Sequence, residues 1–397
     1  MVAILALTQF TVVLDFMVMS PLGDLLMKDL QVKPYQFGIV VSCYALAAGL
    51  SGFMTAGFAD RFDRKRLLVF FYSGFIIGTL CCGLAHTYTQ LILARIFTGI
   101  FGGVMSSIAM AIVADLFSLQ QRGRVMGFMQ MGFGLSQILG IPISLYIASK
   151  SNWQMPFYMI VCLSLVMFLT ILFGLKPVRA HLDQQTERSA FKHLLATIKN
   201  RNYRIGFMAT AFMSLGGYFM MPWGSAFAVN NVGLSQAQLP LLFMVVGIST
   251  FMIMPLIGLL ADKINKFRLF MGASILMIFS VLVYVHLGQT TLFVLILVNI
   301  FMMGGIMARM VPSQALTSSV PEIHDRGAFM SINSSLQQIA GGIAAIIGGK
   351  IVWQQSPSAP LMNFDILGYV VVAVILVNIY LTHRVYQYVA SKNKEAA

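Results

Sequence analysis

A chain of 397 residues that is 58% hydrophobic and only 10% charged lies far below the roughly 25% of charged residues found in soluble domains, which excludes a water-soluble globular protein. Apolar stretches long enough to cross a bilayer as helices, about 20 residues each, recur along the whole chain, whereas a membrane β-barrel would show short alternating segments. The net charge of +13 is explained below by topology, so nucleic-acid binding is not expected.

Twelve spans are expected, at 4–27, 35–57, 67–86, 89–113, 124–148, 154–175, 205–229, 238–261, 269–287, 291–316, 328–352 and 364–384. The first holds Asp15 in the middle of TVVLDFMVMSPL. A carboxylate at mid-helix costs about 2.5–3.5 kcal/mol to insert, so it should face a wet cavity or a partner. Met17 and Met19 on this span, with Met105 on the fourth, offer flexible thioethers suited to a tolerant pocket. The second span runs into GFADRFDRKRLL (57–68), which carries Asp60, Arg61 and Arg64. The fourth span contains Arg95, and Arg122 precedes the fifth. Gly132, Ser136, Gly140 and Ser144 recur every four residues on the fifth span, and Gly341, Ala345 and Gly349 on the eleventh. Both sets form small-residue faces that allow close helix approach, and Pro142 should bend the fifth span. The seventh span holds YFMMPW (218–223), where Pro222 should break the helix. Tyr218 and Trp223 are substrate-binding candidates there; stacking on a ligand and anchoring at the membrane interface are both open readings of Trp223. LLADKINKFRLF (259–270) follows the eighth span and carries Asp262; Arg309 lies in the tenth and Arg326 opens the eleventh. Position 107, the first-half equivalent of Arg309, is Ser. That asymmetry points to substrate contact, with snorkelling toward the membrane surface as the alternative.

Twenty of the 26 Lys and Arg residues fall on one side of this arrangement, four on the other, and Arg95 and Arg309 inside spans. By the positive-inside rule, both termini and the long basic linker 176–204 should be cytoplasmic. The four cysteines lie in apolar runs without metal-ligand or disulfide spacing, the histidines do not cluster, and no phosphate-cradling loop is present. An enzyme, a metal site, a cofactor and direct ATP driving are therefore not expected. The first apolar run begins almost at Met1 with no basic region before it, so no cleaved signal is expected.

The chain also repeats itself. Asp60 and Asp262, Arg66 and Arg268, and GGVM (102–105) and GGIM (304–307) are each 202 residues apart. Two parallel six-helix bundles follow, 1–175 and 205–397 with a short tail, joined by 176–204. Such duplication is common in secondary transporters, with the binding site between the repeats.

On these motifs the chain resembles the major facilitator superfamily over essentially its full length. ADRFDRKRLL is similar to that family's loop signature, with Ala56 and Asp63 standing where glycine is usual. LILARIFTGIFGG (91–103) is similar to its fourth-span arginine motif. GFGLSQILGIPIS (132–144) is similar to its fifth-span antiporter motif, although Ile141 separates the glycine from the proline. The pattern most resembles the twelve-span drug:proton antiporter branch, including sugar-efflux-like members. The resemblance implies an all-α membrane protein of twelve transmembrane helices in two pseudo-symmetric six-helix bundles. It places the first, fourth, seventh and tenth spans around a central cavity and implies that Arg95 assists proton coupling or stabilises the cavity; Asp15 is expected to exchange the proton, with a permanent ion pair to Arg95 as the alternative. It makes Asp60, Arg61, Arg64, Arg122, Asp262 and Arg326 a cytoplasmic gate, in which Asp60 and Asp262 face the starts of the eleventh and fifth helices. Carboxylates favour helix N-termini on electrostatic grounds. The expected function is proton-driven efflux of small amphipathic compounds by a monomer in a bacterial inner membrane, with small molecules, protons and lipids as its partners. Uptake or facilitated transport of a sugar, siderophore or lysolipid, or a non-transporting scramblase or receptor, are the alternatives.

Overall fold

The computed structural model describes residues 2–55, 62–117, 119–178, 190–322 and 324–395. The described residues are almost entirely helical, with a single β-bridge between Trp353 and Met362. The first span is two helices, α1 (Val2–Val18) and α2 (Gly23–Asp29), bent by 55° at a break that contains Pro21. Then come α3 (Pro34–Thr55), α4 (Arg64–Gly83) and α5 (Tyr88–Leu116). The fifth span is α6 (Leu119–Leu135), a π-turn at Ser136–Gly140, and α7 (Ile141–Lys150), followed by α8 (Met155–Gly174) and the short linker helix α9 (Ala190–Lys199). The seventh span is α10 (Arg204–Tyr218), a 3-10 turn at Met221–Trp223, and α11 (Gly224–Asn230). α12 (Leu239–Lys263), α13 (Lys266–Val285), α14 (Leu292–Thr317), α15 (Arg326–Ile351) and α16 (Phe364–Glu395) complete the chain.

Ten of these helical segments are long and apolar enough to cross a membrane, and the bent α1–α2 pair makes an eleventh. α15 coincides with the eleventh of the twelve expected spans and has 26 residues. It falls short in apolarity because Asn333, Ser334, Ser335, Gln337 and Gln338 follow one another closely along it. The protein is an integral, multi-pass membrane protein.

Helix starts follow local chemistry. Asp63 caps α4 by accepting from the Lys65 amide at 2.8 Å, and Asn265 caps α13 by accepting from Phe267 and Arg268. Thr87 and Gln90 form a reciprocal capping box at α5. In the fifth span Pro142 has no amide to bond back one turn, and the wider π-turn just before it absorbs the defect without breaking the helix.

α3 packs along α15. A β-carbon on Gly38 would lie 2.5 Å from the Ala345 carbonyl oxygen, so only glycine permits this approach. The small face of α15 thus lies on the seam between the first and second six spans, through Ala345 and Gly349. The small face of the fifth span does not. Gly132 meets Ala6 and Gly140 meets Leu14, both of α1, while the seam contacts of that span are Gly134 with Phe251 and Gln137 with Gly247.

Candidate functional site

A cavity of about 430 Å³ lies at the centre of the bundle, within the range of about 300–1,000 Å³ usual for small-molecule sites. Its wall draws on α1, α3, α5, the fifth span, and the helices of the seventh, eighth, ninth, tenth and eleventh spans. From α1 come Gln9, Val13, Phe16 and Met17, a stripe at helical spacing that Ser20 continues in the break after it. From α14 come Asn299, Met302, Met303, Met307 and Met310. Eight methionines line the wall in all, and among the described residues no charged side chain does.

Directly behind this wall lie Asp15 and Arg95, each fully buried. Arg95 Nη1 donates to Asp15 Oδ2 at 2.9 Å, and Thr79 donates to Asp15 Oδ1 at 3.1 Å. The guanidinium lies over the Tyr44 ring, 4.4 Å from its centroid, and Arg95 Nε is buried without a hydrogen-bond partner. Tyr44 itself lines the cavity and packs at a tilt on Phe16, centroids 5.3 Å apart, and the Phe16 ring reaches Tyr218 of α10 at 6.0 Å. The Tyr44 ring, with Phe16 packed on it, therefore lies between the guanidinium and the chamber. The close crossing of α3 and α5 makes this possible: a β-carbon on Gly99 would strike the Tyr44 carbonyl at 2.5 Å, and one on Gly103 the Ala48 backbone at 2.4 Å. Both glycines let Tyr44 settle onto Arg95.

The remaining expected site residues are distributed differently. Tyr218 lines the cavity. Trp223 does not: it is fully buried, donates to the Phe219 carbonyl at 3.1 Å and meets Phe37 edge-on at 5.8 Å, which wedges it into the α3–α15 seam. Met19 and Met105 are buried in the core, whereas Met17 reaches the cavity. Arg309 is 2% exposed and points away from the chamber. It donates to Ser274 of α13 and Asn378 of α16, both at 3.1 Å, with the Phe270 ring at 5.4 Å, so neither substrate contact nor snorkelling describes it.

Of the expected gate, Asp60 and Arg61 lie outside the described residues, as does the side chain of Arg122. Arg64 pairs with Asp115 at 3.0 Å, between the start of α4 and the end of α5. Asp262 and Arg326 are exposed, with no ion-pair partner among the described residues. Among the described residues, the polar contacts that join the first six spans to the last six lie at mid-seam and at the opposite end, away from the arginine-rich loops. Ser42 donates to the Gly342 carbonyl at 2.7 Å along α3 and α15. At the far end Asp24, 1% exposed, accepts from Lys28 at 2.8 Å, from Asn230 of α11 at 2.6 Å, and from Gln236 at the head of the eighth span. Lys28 also reaches Asn230 at 3.2 Å, and Ser225 donates to the Ser20 carbonyl at 3.0 Å, which ties the two helix breaks together.

Sequence reasoning missed this far-end cluster and the carboxamides of the cavity. The first-span stripe of Gln9, Phe16 and Ser20 could have been found from its helical spacing. The partners Asn230 and Gln236 of Asp24 could not, because they lie more than 200 residues away.

The family model of the Major Facilitator Superfamily matches residues 5–345. An uncharacterized MFS-type transporter of Bacillus subtilis, YbcL, is 26% identical over 361 residues, 88% of each chain. Multidrug resistance protein 3 of the same organism is 33% identical over 153 residues, 38% of this chain and 30% of its own. Among solved structures, a bacterial homologue of the human lysosomal transporter Spinster, inward-facing and unoccupied, superimposes with a TM-score of 0.78 at 14% identity, covering 98% of this chain and 97% of that one. A D-xylose–proton symporter gives 0.76 at 17% identity over 95% and 96%. At such identities the structural likeness speaks for the fold alone, while the family match spans most of the chain. A central chamber, helices interrupted at its far end and a matching family model together make this chain a transporter rather than an enzyme, a member of the Major Facilitator Superfamily.

Proposed function

We propose that the protein exports small amphipathic compounds in exchange for protons, by alternating access, across a bacterial cytoplasmic membrane. One observation carries the reading: an aspartate and an arginine, both fully buried, form an ion pair whose guanidinium lies behind the Tyr44 ring of the chamber wall, with Phe16 packed on that ring. Protonation of Asp15 would leave Arg95 with an unopposed charge out of water, which is strongly unfavourable. Relief comes if the Tyr44–Phe16 lid parts and water reaches the guanidinium. Proton binding and helix movement then bias each other, as linkage requires.

With the basic loops cytoplasmic, the contacts at Asp24 hold the outer side shut, and Asp262 and Arg326, exposed and without an ion-pair partner among the described residues, belong to the inner side. Asp262 and its repeat equivalent Asp60, with Arg61, Arg64, Arg122 and Arg326 around them, would form the inner gate in the opposite state. The eight thioethers of the wall suit a pocket that adapts to varied apolar shapes, and the similarity to a multidrug resistance protein supports efflux.

Proteoliposomes with an imposed pH gradient test the mechanism. Asp15→Asn should abolish gradient-driven substrate movement while leaving exchange down a substrate gradient. Undiminished proton-driven transport by this variant would refute the role of Asp15. The direction of substrate flux in the same vesicles separates efflux from proton-linked uptake.

A further inference from the structure

We propose that the chamber selects uncharged compounds that carry hydrogen-bond donors, and that Gln137, Asn299 and Gln338 recognise them. The inference rests on the transporter reading above and concerns what the transporter binds, not how it is driven.

The first observation is the absence of charge. Among the described residues no Lys, Arg, Asp or Glu lines the cavity. The acid nearest the wall, Asp15, is fully buried and paired with Arg95 behind Tyr44. One aromatic ring of the wall, Tyr44, is already backed by that guanidinium, 4.4 Å from the ring centroid. Arg309 is turned away toward Ser274 and Asn378, so no cation awaits an anion either. A charged ligand of either sign would shed its hydration without gaining a counter-charge, which is costly in an apolar site.

The second observation is unused hydrogen-bonding capacity. Gln9 and Ser106 satisfy each other at 2.7 Å. The other three carboxamides of the wall do not. Asn299 spends its amide on the Leu295 carbonyl at 2.9 Å, and its side-chain oxygen has no partner. Gln137 makes only a 3.5 Å contact from its amide to the Met17 sulfur. Gln338 makes no hydrogen bond to the rest of the protein. Asn299 and Gln137 each present a free carbonyl oxygen and one unspent amide N–H, and Gln338 presents all of its donors and acceptors, so unused acceptor sites outnumber unused donors. They come from the fifth, tenth and eleventh spans and so lie on both sides of the seam. A neutral ligand with hydroxyl or amide N–H groups would be held by both bundles at once. A site built to hydrogen-bond a ligand discriminates strongly against analogues that leave its polar groups unpaired.

The test uses purified full-length protein in detergent and a matched pair of probes, 4-hydroxybenzanilide and its 4-trimethylammonio analogue, with binding read by calorimetry and thermal shift. The neutral probe should bind at least tenfold more tightly. Gln338→Leu should weaken it about tenfold without lowering the melting temperature of the unliganded protein. Asn299→Asp, nearly isosteric, should improve binding of the quaternary probe at least tenfold. Equal or tighter binding of the quaternary probe by the native protein, or failure of both probes to bind, would overturn the proposal. So would an unchanged preference in Asn299→Asp. Binding in detergent needs no proton gradient. A lost preference with intact proton coupling in vesicles would therefore remove this inference alone, and the reverse outcome would remove only the exchange mechanism.

Discussion

Asp15 and Arg95 hold opposite charges 2.9 Å apart and out of water. For such a pair, removing one partner costs about 3–5 kcal/mol because it strands the other, while replacing both can be nearly neutral. Arg95→Met should therefore depress thermal stability sharply, and the double variant Asp15→Asn with Arg95→Met should recover most of the loss. Melting curves of the four proteins in detergent check this as a double-mutant cycle; purely additive losses would show that the two charges do not act as a unit. Arg309 poses a different case, since it bridges α13 and α16 through neutral acceptors. A lysine cannot span both, because it lacks the planar fork of the guanidinium. Arg309→Lys should lower the melting temperature by several degrees and leave ligand affinity unchanged; a fall in affinity at unchanged stability would place Arg309 in the binding machinery instead. Asp15 was legible in the sequence because a carboxylate in an apolar run is anomalous in any fold. The directions of Arg309 and Trp223 were not, because helix rotation is set by packing partners distant in sequence.

The breaks in the first and seventh spans let α2 and α11 lean together at the far end, where Asp24 collects donors from Lys28, Asn230 and Gln236. Hydrogen bonds to a charged group contribute about 1.5–3 kcal/mol each when well shielded. Replacing Asn230 and Gln236 by Ala should thus shift the resting population markedly toward a state open at that end. Distance measurements between spin labels on α2 and α11 read the change; an unaltered distribution would mean that the apolar seam around Phe37 and Trp223 alone sets the closure. The break at Pro222 was expected from proline chemistry. The break at Pro21 was not legible, because the apolar run continues on both sides of the proline. At the other end the linker helix α9 docks on α15 through Asp325, which accepts from His193 and from Tyr203, both at 2.7 Å. Burial works against the Asp325 charge, but these two hydrogen bonds and the neighbouring His324 outweigh it and hold its pKa below the ordinary aspartate value. A depressed native pKa means that this contact contributes fully above the unfolded value of about 3.9 and is lost as pH falls through the lower native value. Tyr203→Phe should move the acid-induced loss of stability to higher pH; an unshifted acid limb would show that the contact does not contribute.

One pair of helix caps keeps the 202-residue register of the sequence repeat. Asp63 and Asn265, 202 residues apart, cap α4 and α13 with nearly identical backbone angles, φ −54° and −53°, ψ 122° and 123°. The apolar helices were legible to within the polar eleventh span because hydrocarbon thickness acts on the local sequence. The chamber was only partly so, because its wall is assembled from both halves and its carboxamides look unremarkable one helix at a time. The chemistry of that wall has a consequence for energetics. If the cargo is uncharged and Asp15 carries one proton inward for each molecule moved outward, every cycle transfers one net positive charge. Membrane potential alone then drives transport, at about 2.3 kcal/mol per 100 mV for each elementary charge, while a monovalent cation exchanged for one proton would move silently with respect to voltage. In proteoliposomes clamped with a potassium gradient and valinomycin, without a pH difference, a neutral substrate should be driven against its gradient with the sign of the imposed potential. Reversing the potential should reverse the flux, and Asp15→Asn should remove the dependence. Transport indifferent to voltage would require a compensating charge, which the chamber wall, free of charged side chains among the described residues, does not supply.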